Sequence, residues 1–369
     1  MIDLFTCGEG KLLPILPELV KKFGGTVENA RWSLVPRGAK GFDDIFKMVL
    51  SRQHIGKKRV VQVKSEYQKI DIWNISEVEE LAYSSHKAAA SVSNDGTTML
   101  FLDGVVQSST DDENMYHESL VHPAMTALER GPERVAILGG GEGATLREVL
   151  KYKSLKEVVM VELDQEVMDQ CKKHMPSMSN CSWTSEAAGQ FNSCFEDPRA
   201  TIVTADASKW FRSHFGGDAC TSDAEKFDVI ILDLLDPEYL PDFEFAQELY
   251  SPAFFKELEC ALSEDGVLVA QMGEAPLATD IDSSLMIKTG ILNQLASNFV
   301  PGGLFVYNTY IPSFGGEWSF SIGCKSQNCA SRWLQNSAAV EATLAARLDP
   351  RSQASGESGY GKLGYVEHW

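Results

Sequence analysis

The chain of 369 residues carries 33 Lys and Arg against 52 Asp and Glu, giving a formal charge of −19, and its 44% hydrophobic content is that of a globular protein. This content excludes a disordered chain, and no basic stripe is present for a nucleic-acid partner. No apolar run reaches the roughly 18 residues of a membrane-spanning helix, so we expect no membrane partner. Eight cysteines without a C-x-x-C pair favour a reduced compartment, and we expect a cytoplasmic protein.

The first hundred residues predict short strands and turns. Residues 2–7 predict a strand and residues 12–23 a helix. Residues 60–73 alternate apolar and polar side chains, which is typical of a half-buried strand. Residues 98–102 repeat the alternation before the turn Asp103-Gly104.

From residue 134 the pattern changes to strands that alternate with helices. The predicted strands are 135–138, 157–163, 201–204, 227–232 and 266–271, and the predicted helices are 144–152 and 165–174. This alternation predicts an α/β fold with a parallel, doubly wound sheet covered on both faces. Residues 176–196 and 216–224 are polar and predict surface insertions, 330–347 predict a helix, and 351–362 a mobile segment.

A glycine-rich turn, Gly139-Gly140-Gly141-Glu142-Gly143, lies between a predicted strand and helix, where a cofactor meets a doubly wound sheet. Glu162 follows about 20 residues later, where a ribose-binding acid belongs. Glu142 would repel a pyrophosphate and attract a sulfonium nucleoside. Asp206, after the next predicted strand, is placed to accept from an adenine amino group. A tight turn without a ligand is the alternative.

Asp233 and Asp236 flank a short turn after a predicted buried strand, and residues 228–250 contain no Lys or Arg. Such acids suit the binding of an amine and the removal of its proton. The alternative is that Asp233 caps the turn and Asp236 starts it. Gln107 and Tyr116 lie in a second stretch without Lys or Arg, and they offer hydrogen bonds and a ring face to a cationic chain.

His117 and His122 show no metal-ligand pattern, so we interpret them as structural or as supports for the ligand-binding residues, and we predict no metal site. A nucleophilic Ser/His arrangement has no support either.

Together the motifs resemble the polyamine aminopropyltransferases, the family of spermidine, spermine and thermospermine synthases. The resemblance covers roughly residues 60–325, and the order and spacing of the motifs are specific although no single motif is. The matching segments are Leu102-Asp103-Gly104 with Gln107, Tyr116-His117-Glu118, Gly139-Gly140-Gly141-Glu142-Gly143, Arg147-Glu148, Glu162-Leu163-Asp164, Asp197-Pro198-Arg199, Asp206-Ala207 and Asp233-Leu234-Leu235-Asp236-Pro237.

The resemblance implies a Rossmann-like, methyltransferase-type sheet preceded by a small N-terminal β domain. It implies decarboxylated S-adenosylmethionine as co-substrate, a polyamine acceptor, no prosthetic group and a possible homodimer. Domains are expected at 56–110 (β domain), 111–330 (catalytic) and 331–369 (tail). Asp233 would be the base that deprotonates the amine, and Tyr116, Asp236 and Gln271 would lie around the polyamine. The residues expected to hold the aminopropyl donor are Gln107, Gly139, Gly141, Glu142, Glu162, Asp206 and Ala207.

Several positions resemble the thermospermine branch of the family. Glu142 and Leu234-Leu235 replace the Asp and Ser-Ser that spermidine synthases usually have, and Phe314 replaces a diamine-binding Tyr. Leu235 departs from both branches. Transfer to spermidine, forming thermospermine, is therefore the leading expectation. The alternatives are a spermidine synthase using putrescine, a small-molecule S-adenosylmethionine-dependent methyltransferase, and an inactive regulatory homologue.

Residues 1–55 carry a second resemblance. Asp3-Leu4-Phe5-Thr6-Cys7-Gly8 and Arg37-Gly38 are similar to the C-terminal half of bacterial-type S-adenosylmethionine decarboxylase, with Cys7 as its proton donor. The self-cleaving serine of that enzyme would lie upstream, so we expect a remnant or a truncation without decarboxylase activity.

Overall fold

A computed structural model describes residues 56–76, 97–183, 192–216, 225–236, 247–275, 283–333 and 337–354. The chain divides into a first unit, Met1–Asp112 with Ile311–Gly316, and a second unit, Glu113–Tyr310 with Glu317–Trp369. The predicted strand at 2–7, the helix at 12–23 and the decarboxylase-like segment with Cys7 lie outside the described residues.

The first unit contains a four-stranded antiparallel sheet in the order β1-β2-β3-β4. Its strands are β1 (Gly56–Lys64), β2 (Lys69–Ser76), β3 (Thr97–Leu102) and β4 (Val105–Ser109). The prediction of one strand over 60–73 is wrong. The alternation continues across a turn in which Ser65 and Gln68 are hydrogen-bonded, and this turn separates β1 from β2.

The turn predicted at Asp103-Gly104 is confirmed. Both residues have positive φ angles, 47° and 86°, the combination that joins two antiparallel strands through a two-residue turn.

The second unit is built on a seven-stranded sheet in the order β10-β11-β9-β8-β5-β6-β7. Its strands are β5 (Arg134–Gly139), β6 (Glu157–Glu162), β7 (Ala200–Thr204), β8 (Phe227–Asp233), β9 (Leu262–Glu274), β10 (Leu304–Ile311) and β11 (Gly316–Cys324). Strands β5 to β9 are parallel, and β11 is antiparallel to β9. The strand order reverses between β5 and β8, the place where doubly wound sheets bind ligands at the carboxyl ends of their strands.

The helices described in the second unit are α1 (Glu113–Ala127), α2 (Ala144–Leu150), α3 (Gln165–His174), α4 (Ala207–Phe215), α5 (Pro252–Ala261), α6 (Ser283–Ala296), α7 (Gln327–Trp333), α8 (Ser337–Arg347) and α9 (Pro350–Ala354). The helix predicted over 330–347 corresponds to parts of α7 and α8. The segment predicted to be mobile begins inside α9. Among the described helices, none is long and apolar enough to cross a membrane.

The core of the second unit explains why its strands have continuous apolar sequences. Strands β5 and β8 are buried on both faces, and their side chains pack with aromatic residues of α4 and α5 such as Phe211 and Phe254. Asp228 is a buried charged residue among the apolar residues of β8. Arg130 forms an ion pair with its carboxylate, and the backbone amides of Glu133 and Arg134 donate to it at 2.7 and 3.1 Å.

Two expectations about cysteines and insertions need correction. Cys181 is bonded to Cys194 and Cys324 to Cys329, so the expectation of reduced cysteines is wrong for these four. The segment 176–196 is only partly a surface insertion, because Met178 and both cysteines of its disulfide are fully buried.

Candidate active site

The glycine-rich turn connects β5 to α2 by a path that requires glycine. Gly139, Gly140 and Gly143 have φ angles of 82°, 74° and 90°, which L side chains rarely adopt. A Cβ on Gly139 would lie 2.1 Å from the carbonyl oxygen of Asp233, and one on Gly141 would lie 3.2 Å from Oε2 of Glu162. The turn therefore passes closely between the carboxyl ends of β8 and β6.

Asp233 ends β8 with its carboxylate held by two hydroxyl groups. Tyr116 on α1 donates to Oδ1 at 2.8 Å, and Thr145 on α2 donates to Oδ2 at 2.6 Å. Burial and the charge of Glu142 raise the pKa of Asp233 to about 6, although the charge of His117 and the two hydroxyl donors act in the opposite direction. The result is a fixed carboxylate that is ionised at neutral pH and more basic than an exposed one.

His117 lies between two acidic residues and carries a positive charge. Its Nδ1 lies 2.7 Å from the backbone carbonyl of Glu113 and 3.1 Å from Oε2 of that residue, and its Nε2 lies 2.7 Å from Oε1 of Glu142. A carbonyl only accepts, so Nδ1 carries a hydrogen. Burial lowers the pKa of His117, but the hydrogen bonds and charges of Glu113 and Glu142 outweigh it and raise this pKa to about 10.

His117, Glu142 and Asp233 each place one possible ligand atom within 4.8 Å of the others. The sequence predicts no metal site and predicts for His117 a structural role or the support of a ligand-binding residue; in the structure His117 contacts Glu142. The cluster has no signal in the sequence because the three residues come from α1, the glycine-rich turn and β8. The His117 imidazolium already supplies a positive charge between the carboxylates, and it fixes the direction of Glu142.

A network of buried charges lies behind His117. The guanidinium of Arg147 donates to both carboxylate oxygens of Glu113, at 3.0 and 2.7 Å, and to Glu148 at 2.9 Å. Glu148 also contacts Lys151 at 2.6 Å and His122 at 3.1 Å. These five side chains are at most 4% exposed, so α1 and α2 are joined through paired charges with little access to water.

The predicted ribose-binding acid and adenine-binding acid lie at the ends of β6 and β7. Glu162 accepts from the backbone amide of Asp164 at 2.9 Å, and burial raises its pKa to about 7. Asp206 caps α4 by accepting from the amides of Ser208 and Lys209. Hydrogen bonds and the Lys209 charge lower the pKa of Asp206 despite burial. Ala207 is the buried first residue of α4.

Gln271, on β9, is engaged with the protein itself. Its Nε2 donates to the carbonyl of Leu234, and its Oε1 accepts from the amide of Gly273 at 2.9 Å and from Trp318 at 3.2 Å. Asp236 is half-buried at the other end of the same turn. The role of Gln271 near a polyamine stays a prediction; its hydrogen bond to the carbonyl of Leu234 helps to hold the turn between Asp233 and Asp236.

Gln107 and Phe314 belong to the first unit. Gln107 is a half-buried residue of β4, and Phe314 packs against the cluster of Met99, Phe101 and Val106.

The sequence has two segments without Lys or Arg, residues 102–120 and 228–250. Some of their carboxylates pair with basic residues from elsewhere in the chain and are therefore less available to a ligand. Glu113 is paired with Arg147 and Asp228 with Arg130, both from distant parts of the chain. The absence of nearby basic residues in the sequence therefore did not identify which acids lack a cationic partner. Thr145, Glu113 and Arg147 were also missed as residues that support the site, because they have no local signal of that role.

A model of the spermine/spermidine synthase domain matches residues 113–332 of this chain. The chain belongs to the spermine/spermidine synthase family. The match begins at the first residue of α1 and includes every second-unit side chain of the site described above. The family predicted from the sequence is thereby confirmed.

Relatives and solved structures of the family agree with this assignment. A polyamine aminopropyltransferase of Pyrobaculum neutrophilum is 40% identical over 233 residues, covering 62% of this chain and 68% of the relative. One of Saccharolobus solfataricus is 38% identical over 224 residues, covering 61% and 64%.

The fold prediction is confirmed by two spermidine synthase structures, each 26% identical to this chain. One is a complex with the transition-state analogue AdoDATO, with a TM-score of 0.56 and coverage of 74% of this chain and 76% of that one. The other, from Thermotoga maritima, has a TM-score of 0.54 and covers 75% of both chains.

Proposed function

We propose that this enzyme transfers the aminopropyl group of decarboxylated S-adenosylmethionine to spermidine, forming thermospermine and releasing 5′-methylthioadenosine. Its class, polyamine aminopropyltransferase, and its co-substrate follow from the family. The observation that carries the chemistry is the Asp233 carboxylate, fixed by Tyr116 and Thr145 and raised in pKa.

In the proposed reaction, Asp233 takes one proton from the bound ammonium group of the acceptor. The freed nitrogen lone pair attacks the aminopropyl carbon next to the sulfonium sulfur. A C–N bond forms while the C–S bond breaks, and its electron pair neutralises the sulfur. Because the sulfonium is a good leaving group, proton removal and positioning supply most of the acceleration.

Carboxylates around the glycine-rich turn suit a cationic donor. Glu142 is fixed by His117 and would attract the sulfonium, and Glu162, which accepts from the amide of Asp164, would bind the ribose hydroxyls. Asp206 would accept from the adenine amino group, while Gly139, Gly141 and Ala207 allow close backbone approach. These roles, like those of Gln107, Tyr116, Asp236 and Gln271, stay predictions.

The acceptor is proposed from three apolar side chains. Phe314 offers no hydroxyl to a diamine, and Leu234 and Leu235 replace a pair of serines in the turn between the two carboxylates. Apolar contacts favour the longer carbon chain of spermidine over putrescine. A homodimer and a cytoplasmic location also stay predictions.

We expect the purified enzyme to convert spermidine and decarboxylated S-adenosylmethionine to thermospermine. Its kcat/KM for spermidine should be at least about tenfold higher than for putrescine, because putrescine lacks two or more of the methylene contacts that spermidine can make. Products are identified by mass and by chromatography against thermospermine and spermine. A preference for putrescine would make it a spermidine synthase. A methylated product from S-adenosylmethionine would overturn aminopropyl transfer altogether.

We expect kcat/KM for the acceptor to decrease as pH decreases through about 6, because the pKa of Asp233 is raised to about 6 and its protonated form accepts no proton. The profile is measured between pH 5 and 8 in buffers of constant ionic strength, with the melting temperature recorded at each pH as a control for unfolding. Activity that stays constant down to pH 5 would contradict this assignment of the base.

A further inference from the structure

The turn between Asp233 and Asp236 is fixed at both residues inside it. Gln271 donates to the carbonyl of Leu234, and the hydroxyl of Tyr250 donates to the carbonyl of Leu235 at 2.7 Å. The side chains of both leucines pack against the core cluster of the second unit. The turn is therefore held through its backbone by two buried polar groups and through its side chains by the core.

The surroundings of Tyr250 stabilise its hydrogen bond to the carbonyl of Leu235. It lies at the end of the short 3-10 turn Glu248–Tyr250, its side chain is buried, and its ring meets that of Phe255 edge-on at 6.4 Å between centroids. Burial, followed by the charges of Asp236 and Asp233, raises the pKa of Tyr250 well above its usual value. The hydroxyl therefore remains a donor throughout the working pH range.

The hydrogen bond at Leu235 has a direct geometric consequence for Asp236. The carbonyl of Leu235 belongs to the peptide group that enters Asp236, so fixing its plane limits the directions in which the Asp236 side chain leaves the backbone. Asp233 is fixed independently by Tyr116 and Thr145. Tyr250 thus limits the direction of the Asp236 carboxylate relative to the Asp233 carboxylate.

We propose that Tyr250 is a positioning residue that, through the carbonyl of Leu235, sets the spacing of Asp233 and Asp236 and so selects which amine of the acceptor reaches the base. The role rests on the aminopropyl transfer to spermidine proposed above. Spermidine makes the role visible, because its two primary amines stand on arms of different length.

The test compares Tyr250→Phe with Tyr307→Phe. Tyr307 is a matched control, since its hydroxyl donates to the carbonyl of Ser119 at 2.8 Å and its replacement also removes one buried hydroxyl. We expect Tyr250→Phe to raise KM for the acceptor about three- to tenfold, the range expected for one lost hydrogen bond. KM for the donor should change less than about twofold, and part of the product should become the other tetraamine isomer. Tyr307→Phe should change neither KM nor the isomer ratio.

Melting temperatures of both variants separate positioning from loss of stability. If Tyr250→Phe is insoluble, Tyr250→Leu, which also lacks the hydroxyl donor, is measured in the same way and should show the same acceptor-specific change. Equal kinetic changes in the Tyr250 and Tyr307 variants, or an unchanged acceptor KM and isomer ratio, would overturn the role of Tyr250. A wild-type enzyme that forms no product from either acceptor would instead overturn the proposed function.

Discussion

Asp233→Asn is expected to lower the rate of aminopropyl transfer by about 10²–10⁴-fold, the range that one positioned general base supplies. The amide preserves the shape of the side chain and can still contact Tyr116 and Thr145, but it cannot take a proton from an ammonium group. Release of 5′-methylthioadenosine is measured at saturating donor and acceptor, so that the change in kcat is separated from a change in binding.

Two controls complete this experiment. Donor binding, measured by calorimetry, should change less than about tenfold, because the residues proposed to bind the ribose and adenine of the donor, Glu162 and Asp206, follow β6 and β7 and are distinct from Asp233. Asp169→Asn, an exposed substitution on α3, should leave turnover unchanged. A variant at Asp233 with wild-type kcat would remove this residue from the role of base.

The parallel part of the fold could be predicted because strands that are buried on both faces have continuous apolar sequences, which can be recognised locally. The helix predicted over 165–174 has the same bounds as α3, which begins after the capping residue Asp164 and has an apolar face with Val167 and Met168. The predicted strand at 227–232 differs from β8 by one residue. Local patterns suffice where continuous apolar runs alternate with capped helices.

The hairpin of β1 and β2 could not be predicted from alternation alone. Its turn is stabilised by the Ser65 side chain, which accepts from the amide of Gln68, and neither glycine nor proline marks the break. The disulfides were missed for a similar reason. The cysteines of the Cys181–Cys194 pair are 13 residues apart, without the C-x-x-C spacing that marks a local pair, and both are fully buried.

Apart from Tyr116, the site residues most open to prediction were those that lie at or just after the end of a strand. Glu142, Glu162, Asp206 and Asp233 lie at carboxyl ends of parallel strands, so the sheet topology alone brings them to one edge. Their electrostatic balance depends on residues from α1 and α2. The charge of His117 and the pairing of Glu113 with Arg147 follow from the packing of these helices, which no spacing in the sequence indicates.

Arg147→Met is expected to destabilise the protein by about 3–5 kcal/mol, because it leaves Glu113 and Glu148 buried without the guanidinium that pairs with them. For a unit of this size the melting temperature should decrease by roughly 6–20 °C. Methionine retains most of the apolar stem of the side chain, so the loss reports on charge pairing more than on packing. Arg351→Met, which removes a half-exposed pair with Asp349, should change the free energy of unfolding by less than about 1 kcal/mol.

The difference in the free energy of unfolding between the wild type and Arg147→Met should depend on pH if it arises from charge pairing. In the wild type, burial raises the pKa of both carboxyls. For Glu113, the charges and hydrogen bonds of Arg147 and His117 together outweigh burial and lower the pKa. For Glu148, those of Lys151, Arg147 and His122 do so. A lowered folded-state pKa contributes stability that is complete above the unfolded pKa, about 4.3, and is lost as pH falls through the folded value. The stability difference between wild type and Arg147→Met should therefore be largest near pH 7 and narrow as pH decreases below about 4. Unfolding in urea at pH 7, 5 and 3.5 measures it, and a difference that stayed constant across these pH values would assign the loss to packing.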